Sequence, residues 1–357
     1  MENKTTIKRL TYILCLIGLI LIYSASNIVC LDKYNDSFYY LKRQAIFFFI
    51  GLFLMKITSG IDYHILLKKA NNVLIISSIL LVLVLIPGIG IVRGGSQSWF
   101  SLGPISFQPS ELFKVSIILF LSNYLKTHYP NTKKLKTILP PLIITLLGFA
   151  LIMLQPDFGS GFVMIASSIS LIFISALPIK YFVYMGILGM IGAIGLIVVA
   201  PYRLVRILSF LDPFSDPLGS GFQAIQALYA IGPGGLLGVG FNQSIQKHFY
   251  LPEPQTDFIF AIFAEEFGLI GSLVLLFIFG YFFYTCFKVA FKSQDQEGFY
   301  LAFGLTSLLC IQTIVNLCVV TGLFPVTGVT LPLISYGGTS LVITMMCIGI
   351  IINVSKK

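Results

Sequence analysis

The sequence predicts an all-α polytopic membrane protein, with about ten transmembrane helices in one bundle. Three observations carry that expectation. Charged residues are only 10% of the 357, while hydrophobic ones are 57%; ordinary soluble domains carry roughly 25% charged residues. The apolar residues gather into runs of near-bilayer length. The lysines and arginines lie between those runs, unevenly divided between two sides. A formal charge of +9 would suit nucleic acid if it were one patch. Spread over loops it is better explained by anionic lipid, so no nucleic-acid partner is expected.

The first run, 11–30, follows Lys4, Lys8 and Arg9, and Ser24-Ala25-Ser26 resembles a signal-peptidase site. Its length of about 20 residues suits a span rather than a signal core, which makes it an uncleaved first helix. Further runs cover 44–59, 71–90, 110–126, 138–154, 159–178, 181–200, 258–288, 299–320 and 338–354. With the N-terminus inside, fifteen Lys and Arg fall on inner segments and seven on outer ones, with Lys114 inside a span. That bias predicts both termini in the cytoplasm and a single domain over 1–357. The large extracytoplasmic loop, about 201–257, is too long to be structureless. Short interfacial helices are expected in it, with tight turns at Gly232, Gly234, Gly235, Gly238 and Gly240.

Polar motifs concentrate on the outer side: Arg93-Gly-Gly-Ser-Gln-Ser-Trp99, Gln108-Pro-Ser-Glu111, Gln155-Pro-Asp157-Phe-Gly-Ser-Gly161 and the segment from Pro325 to Gly338. The long loop runs through Phe249-Tyr-Leu-Pro-Glu-Pro-Gln-Thr-Asp257 straight into an apolar run. Two roles fit Asp257 there. With Thr256 it would make a good helix cap. An acid at that depth is also costly unless something uses it, which marks a catalytic or ion-handling group.

The fourth, sixth, eighth and tenth spans all start on the outer face, presenting free N–H groups and positive dipole ends to an anion. Lys114, about one turn below the start of the fourth span, is either a snorkelling lysine or part of an anion site. With Arg93, Arg203, Arg206 and Lys247 it would give the outer mouth a positive lining able to hold a diphosphate. Arg203 and Arg206, three apart, share a face if helical. Glu265 and Glu266 diverge by about 100° on a helix. One is expected to pair with a cation and the other to cap a polar contact. Gln312 and Asn316 are expected to hold helices together. The six cysteines sit in or beside apolar runs as small buried hydrophobes. The three histidines are far apart in sequence, and no metal cluster is visible.

Taken in order, Ser96-Gln-Ser-Trp99, Gln108-Pro-Ser-Glu111-Leu-Phe-Lys114, Gln155-Pro-Asp157-Phe-Gly159, Tyr202-Arg203 with Arg206, Gly221-Phe-Gln223, Leu251-Pro-Glu253-Pro-Gln-Thr256-Asp257-Phe-Ile-Phe, Glu265-Glu266-Phe-Gly268 and Leu331-Pro-Leu-Ile-Ser335-Tyr-Gly-Gly338 resemble the SEDS family (shape, elongation, division and sporulation proteins). The resemblance spans essentially the whole chain and is closer to the division and sporulation members than to the elongation member. It implies a peptidoglycan glycosyltransferase that polymerises lipid II into β-1,4-linked glycan strands outside the cytoplasmic membrane. The family's essential aspartate falls on Asp257, the implied general base, worth roughly 10²–10⁴ in rate. Substrate binding is expected at Gln108, Ser110, Glu111, Lys114, Asp157, Arg203, Arg206, Gln223, Lys247, Glu253 and Thr256. No cofactor is obligatory, although a divalent cation (Mg or Mn) is admissible. The implied partners are lipid II, the growing glycan strand, a single-span class B penicillin-binding transpeptidase and other divisome membrane proteins.

Two other classes remain open. A lipid II flippase would also use many spans, a central acid and a cationic mouth, although no inverted repeat is apparent. A non-catalytic scaffold for the transpeptidase would leave the polar motifs around Asp257 without a task.

Overall fold

A computed structural model describes residues 2–103, 105–129, 131–175, 177–199 and 201–356; side chains at 102, 105, 193, 196–199, 201–203 and 206 are outside the description. Helices dominate: α1 Glu2–Tyr34, α2 Tyr39–Thr58, α3 Tyr63–Lys68, α4 Ala70–Leu83, α5 Pro109–Thr127, α6 Leu135–Met153, α7 Phe158–Phe173, α8 Ile179–Val199, α9 Pro201–Leu211, α10 Phe222–Ile231, α11 Ile259–Phe291, α12 Gln296–Val320 and α13 Gly338–Val354. Each apolar run of the sequence therefore contains one helix, and the 201–257 segment contributes α9 and α10. Among the described residues four helices, α1, α6, α11 and α12, are individually long and apolar enough to cross a membrane.

The core is a belt of aliphatic and aromatic side chains in which α5 and α12 are central. α5 packs on α4, α7 and α12, while α12 also meets α11 and α13. α13 lies along α2, and α1 bridges α2 and α11. Glycines permit the closest approaches. A Cβ at Gly18 of α1 would lie 2.7 Å from the backbone of Ile334. α8 packs chiefly on α9, so Val183, Leu188 and Met190 remain exposed. Glu2 and Asn3 line one cavity with Val354 and Ser355, so the two described ends of the chain share one end of the bundle. At that end His64 sits between Asp62 (2.6 Å) and Asp295 (2.8 Å), fastening α3 to the start of α12.

Two runs depart from simple spans. The 71–90 run stops being helical at Leu83 because the chain must turn at Pro87-Gly88, where Gly88 takes a φ of 86°. From there it forms an antiparallel sheet, β1 Gly90–Arg93, β2 Ser96–Leu102 and β3 Ile105–Phe107, in the order β1-β2-β3. The sheet was not expected from an all-helical reading. The second departure is in α11, which breaks at Gly268 (φ 65°, ψ −164°). There the 235–240 segment lies alongside, with Val239 and Gly240 N–H groups donating to the Glu265 and Glu266 carbonyls (2.9 and 3.0 Å). The Gly235 and Leu236 carbonyls accept from Leu269 and Ile270 (2.9 and 3.1 Å). A side chain at 268 would collide with Gly238 N at 2.4 Å, so this backbone exchange requires glycine.

A cleft around Asp257

The starts of α5, α7 and α13 and the residues just before α11 meet at one cleft of about 840 Å³. The sheet, the start of α2 and the 326–330 segment complete its walls. The starts of α2, α5, α7, α10 and α13 and the entry to α11 thereby border one space, and their positive dipole ends favour an anion there.

Asp257 is half-buried in this wall. It does not cap α11: the residue at the cap position is Phe258, and no side chain bonds the first turn. The carboxylate is instead met by Thr256, whose Oγ1 lies 2.9 Å from Asp257 Oδ1 and 2.7 Å from the Glu253 carbonyl. One hydroxyl proton serves one acceptor at a time. Thr256 can thus donate to an ionised Asp257, or accept from a protonated one while donating to Glu253. Burial pushes the Asp257 carboxyl up to about 6, against the lowering effect of Thr256, and the charge of Glu253 adds to the rise. The backbone of Asp257 is fixed from beneath. Asn316 of α12 donates through Nδ2 to the carbonyls of Asp257 and of Val329, both at 2.7 Å, and is fully buried.

The other residues expected in the site separate into three groups. Gln108, Glu111, Lys114, Asp157, Gln223, Glu253 and Thr256 do line the cleft with Asp257. Asp157 caps α7 through Ser160 N–H (3.1 Å) and accepts from Gln108 Nε2 (3.0 Å) and Ser110 Oγ (3.4 Å). Burial raises its carboxyl, opposed by the Ser160 bonds. Ser110 itself acts from behind the cleft through Asp157. Lys114 is 2% exposed, so it does not snorkel; its Nζ bonds Glu111 Oε1 (2.8 Å) and Gln312 Oε1 (2.9 Å). Its charge is largely answered within the protein.

Lys247 is the correction. It is 1% exposed and lies away from the cleft, bonded to Asn242 Oδ1 (2.6 Å) and paired with Glu266 Oε1 (3.4 Å). It fastens the loop to α11 rather than lining the mouth. Ser24 of α1 donates to the same Glu266 oxygen (2.6 Å), and Glu265 accepts from Ser244 Oγ and Ile245 N–H (2.5 and 2.8 Å). Arg203 and Arg206 fall within α9, but their side chains lie outside the described residues. The cleft also contains groups that the sequence did not single out as ligands: Arg43, Tyr39 and Tyr40 of α2, Tyr336, and Gln255, whose buried Oε1 has no partner. The one available signal was the cluster Tyr34, Tyr39, Tyr40 and Arg43 beside a span boundary. Among the described residues no three His, Cys, Asp or Glu side chains are grouped as a metal requires.

The model of the cell cycle protein family of FtsW, RodA and SpoVE matches residues 4–357. The chain belongs to this family. Stage V sporulation protein E of Bacillus subtilis (strain 168) is 47% identical over 348 residues, covering 97% of this chain and 95% of that protein. A probable peptidoglycan glycosyltransferase FtsW of Geobacter sp. (strain M18) is 38% identical over 346 residues, covering 97% and 94%. Among solved structures, a peptidoglycan synthase complex described as coordinating polymerization and crosslinking has a chain with a TM-score of 0.80, 31% identity, and coverage of 98% and 96%. The crystal structure of Thermus thermophilus RodA, a rod shape determining protein, gives a TM-score of 0.72 at 28% identity, covering 98% and 95%. The mostly helical architecture described above is therefore shared with solved members of this group.

Proposed function

We propose that this FtsW–RodA–SpoVE family member is a peptidoglycan glycosyltransferase that polymerises lipid II in division or sporulation septum synthesis. The observation that carries this reading is the Asp257 carboxyl, which does not cap α11 and is half-buried in a polar cleft of about 840 Å³ at the converging helix starts. Family membership and the names of the relatives support the activity. In the proposed reaction the 4-hydroxyl of an acceptor GlcNAc attacks the anomeric carbon of the donor MurNAc. The new C–O bond forms as the bond to diphosphate breaks, inverting the α-linkage to β-1,4. Asp257 takes the hydroxyl proton, and undecaprenyl diphosphate leaves with the electron pair. Thr256 holds the carboxylate, Asn316 fixes its height, and the Asp157–Gln108–Ser110 and Glu111–Lys114 groups form the polar wall.

Both termini are assigned to the cytoplasm and the cleft to the outer face, on the Lys/Arg bias. A class B transpeptidase with one span, alongside other divisome membrane proteins, is the proposed partner, because the structural relative belongs to a complex of polymerization and crosslinking. A divalent ion such as Mg would enter with the substrate diphosphate. The direct test is purified protein with lipid II, alone and with the transpeptidase. Glycan polymer with release of undecaprenyl diphosphate is expected. Absence of polymer in both, with lipid translocated across vesicles, would establish the flippase instead.

A further inference from the structure

We propose that Arg93 and Trp99 of the sheet, with Arg43 and Tyr39 of α2, form a subsite for the head group of a glycosyl diphosphate. In it the indole takes a sugar ring and the two guanidiniums take the diphosphate. This rests on the glycosyltransferase reading and assigns the leaving group to cations other than Lys114. All four side chains line the cleft. Arg93 Cζ lies 5.6 Å from the Trp99 ring centroid, and Arg43 both donates to the Tyr39 hydroxyl (2.7 Å) and sits 5.4 Å from that ring. Tyr40, on α2 with Arg43, packs against Tyr336 (ring centroids 4.7 Å), so the α2 side of the space adjoins the segment leading into α13.

The physical argument is one of charge. Lys114 is already paired with Glu111. Arg93 is exposed and, among the described residues, within ion-pair distance of no carboxylate. A planar guanidinium fork suits phosphate oxygens, and a rigid aromatic face suits the apolar face of a pyranose. Displacement requires the attacking and leaving oxygens on opposite sides of the anomeric carbon, and the proposed base and the proposed diphosphate ligands come from different segments of the cleft lining. Asp257 stands on the 252–257 wall and Arg93 on the sheet. A volume of about 840 Å³ accommodates a disaccharide head group.

Trp99 is the single tryptophan of the chain, so indole fluorescence of the full-length detergent-solubilised protein reports on this place alone. Titration with lipid II bearing a short prenyl chain should change that emission saturably, in wild type and in Asp257→Asn alike. Inorganic diphosphate should compete. Arg93→Ala should raise Kd about tenfold or more and weaken that competition, since a charge-assisted hydrogen bond is lost. Arg43→Ala should act in the same direction, and Trp99→Phe, followed with radiolabelled ligand, should weaken the sugar without abolishing competition by diphosphate. Unchanged emission while the labelled ligand binds, or wild-type affinity in both arginine variants, would overturn the subsite and leave the polymerase reading standing. Saturable, arginine-dependent binding by a protein that makes no polymer would keep the subsite and remove the polymerase.

Discussion

At the level of single residues, the general-base role proposed for Asp257 implies a pH dependence. A general base must be ionised, and burial holds this carboxyl at about 6. Polymerisation should therefore be low below that value, rise through it and level off above it. Thr256→Val removes the hydroxyl that lowers the Asp257 pKa, so the midpoint of the pH–rate profile should move upward; an unmoved midpoint would detach Thr256 from the carboxyl. Asn316→Ala should depress kcat more than it changes KM, because it frees the carbonyl of the proposed base Asp257 itself, whereas in the cleft wall it releases only the Val329 carbonyl. Equal loss in both, with a lowered Tm, would indicate a structural role only. Asp257 was legible in the sequence because an acid beside an apolar run is conspicuous. The state of Lys114 was not. Its partner Gln312 is 198 positions away, and only the fold brings α5 against α12. Lys247 misled for the same reason: the carboxylate that answers it, Glu266, stands on α11 just before a break at Gly268 that the apolar pattern does not display.

Among elements, the broken α11 and its neighbouring loop form one unit. The 235–240 backbone bonds into the break at Gly268, while Lys247 and Glu266 close the same unit by a buried ion pair. Removing one partner leaves a buried charge, so Lys247→Met should lower stability by about 3–5 kcal/mol. Lys247→Met combined with Glu266→Gln should recover much of it, measured as thermal unfolding in detergent; no recovery would mean that Lys247 acts by something other than charge. The apolar runs located the helices because backbone groups in lipid must be satisfied within the segment, which ties hydrophobic length to helix. The sheet at 90–107 escaped that logic. Its strands are short, polar and glycine-interrupted, and they are ordered by pairing and by ties such as the hydrogen bond from Ser96 Oγ to the Gln155 carbonyl. Glycine at 268 signalled nothing by itself, since its φ is demanded by a segment thirty residues earlier in the chain.

For the whole molecule, the bundle gathers the described ends of the chain at one end and the Asp257 cleft among helix starts elsewhere. If the Lys/Arg bias reports orientation, reporter fusions after Lys134 and at the C-terminus should read cytoplasm, and one near Gly235 the outside. An outside signal at the C-terminus would reverse the assigned topology. Membership of the family was legible because its motifs lie in linear order. The convergence of those motifs on one cleft was legible only in part, since topology gives the face on which helices start but not which of them touch. The claim on which the account turns is that Asp257 is a base and not a cap. Asn caps a helix about as well as Asp but cannot accept a sugar proton. The decisive measurement is lipid II polymerisation by purified Asp257→Asn protein alongside wild type, with ligand binding measured in both. The account predicts unchanged binding and no glycan polymer from the variant. Robust polymer from it would contradict the catalytic assignment.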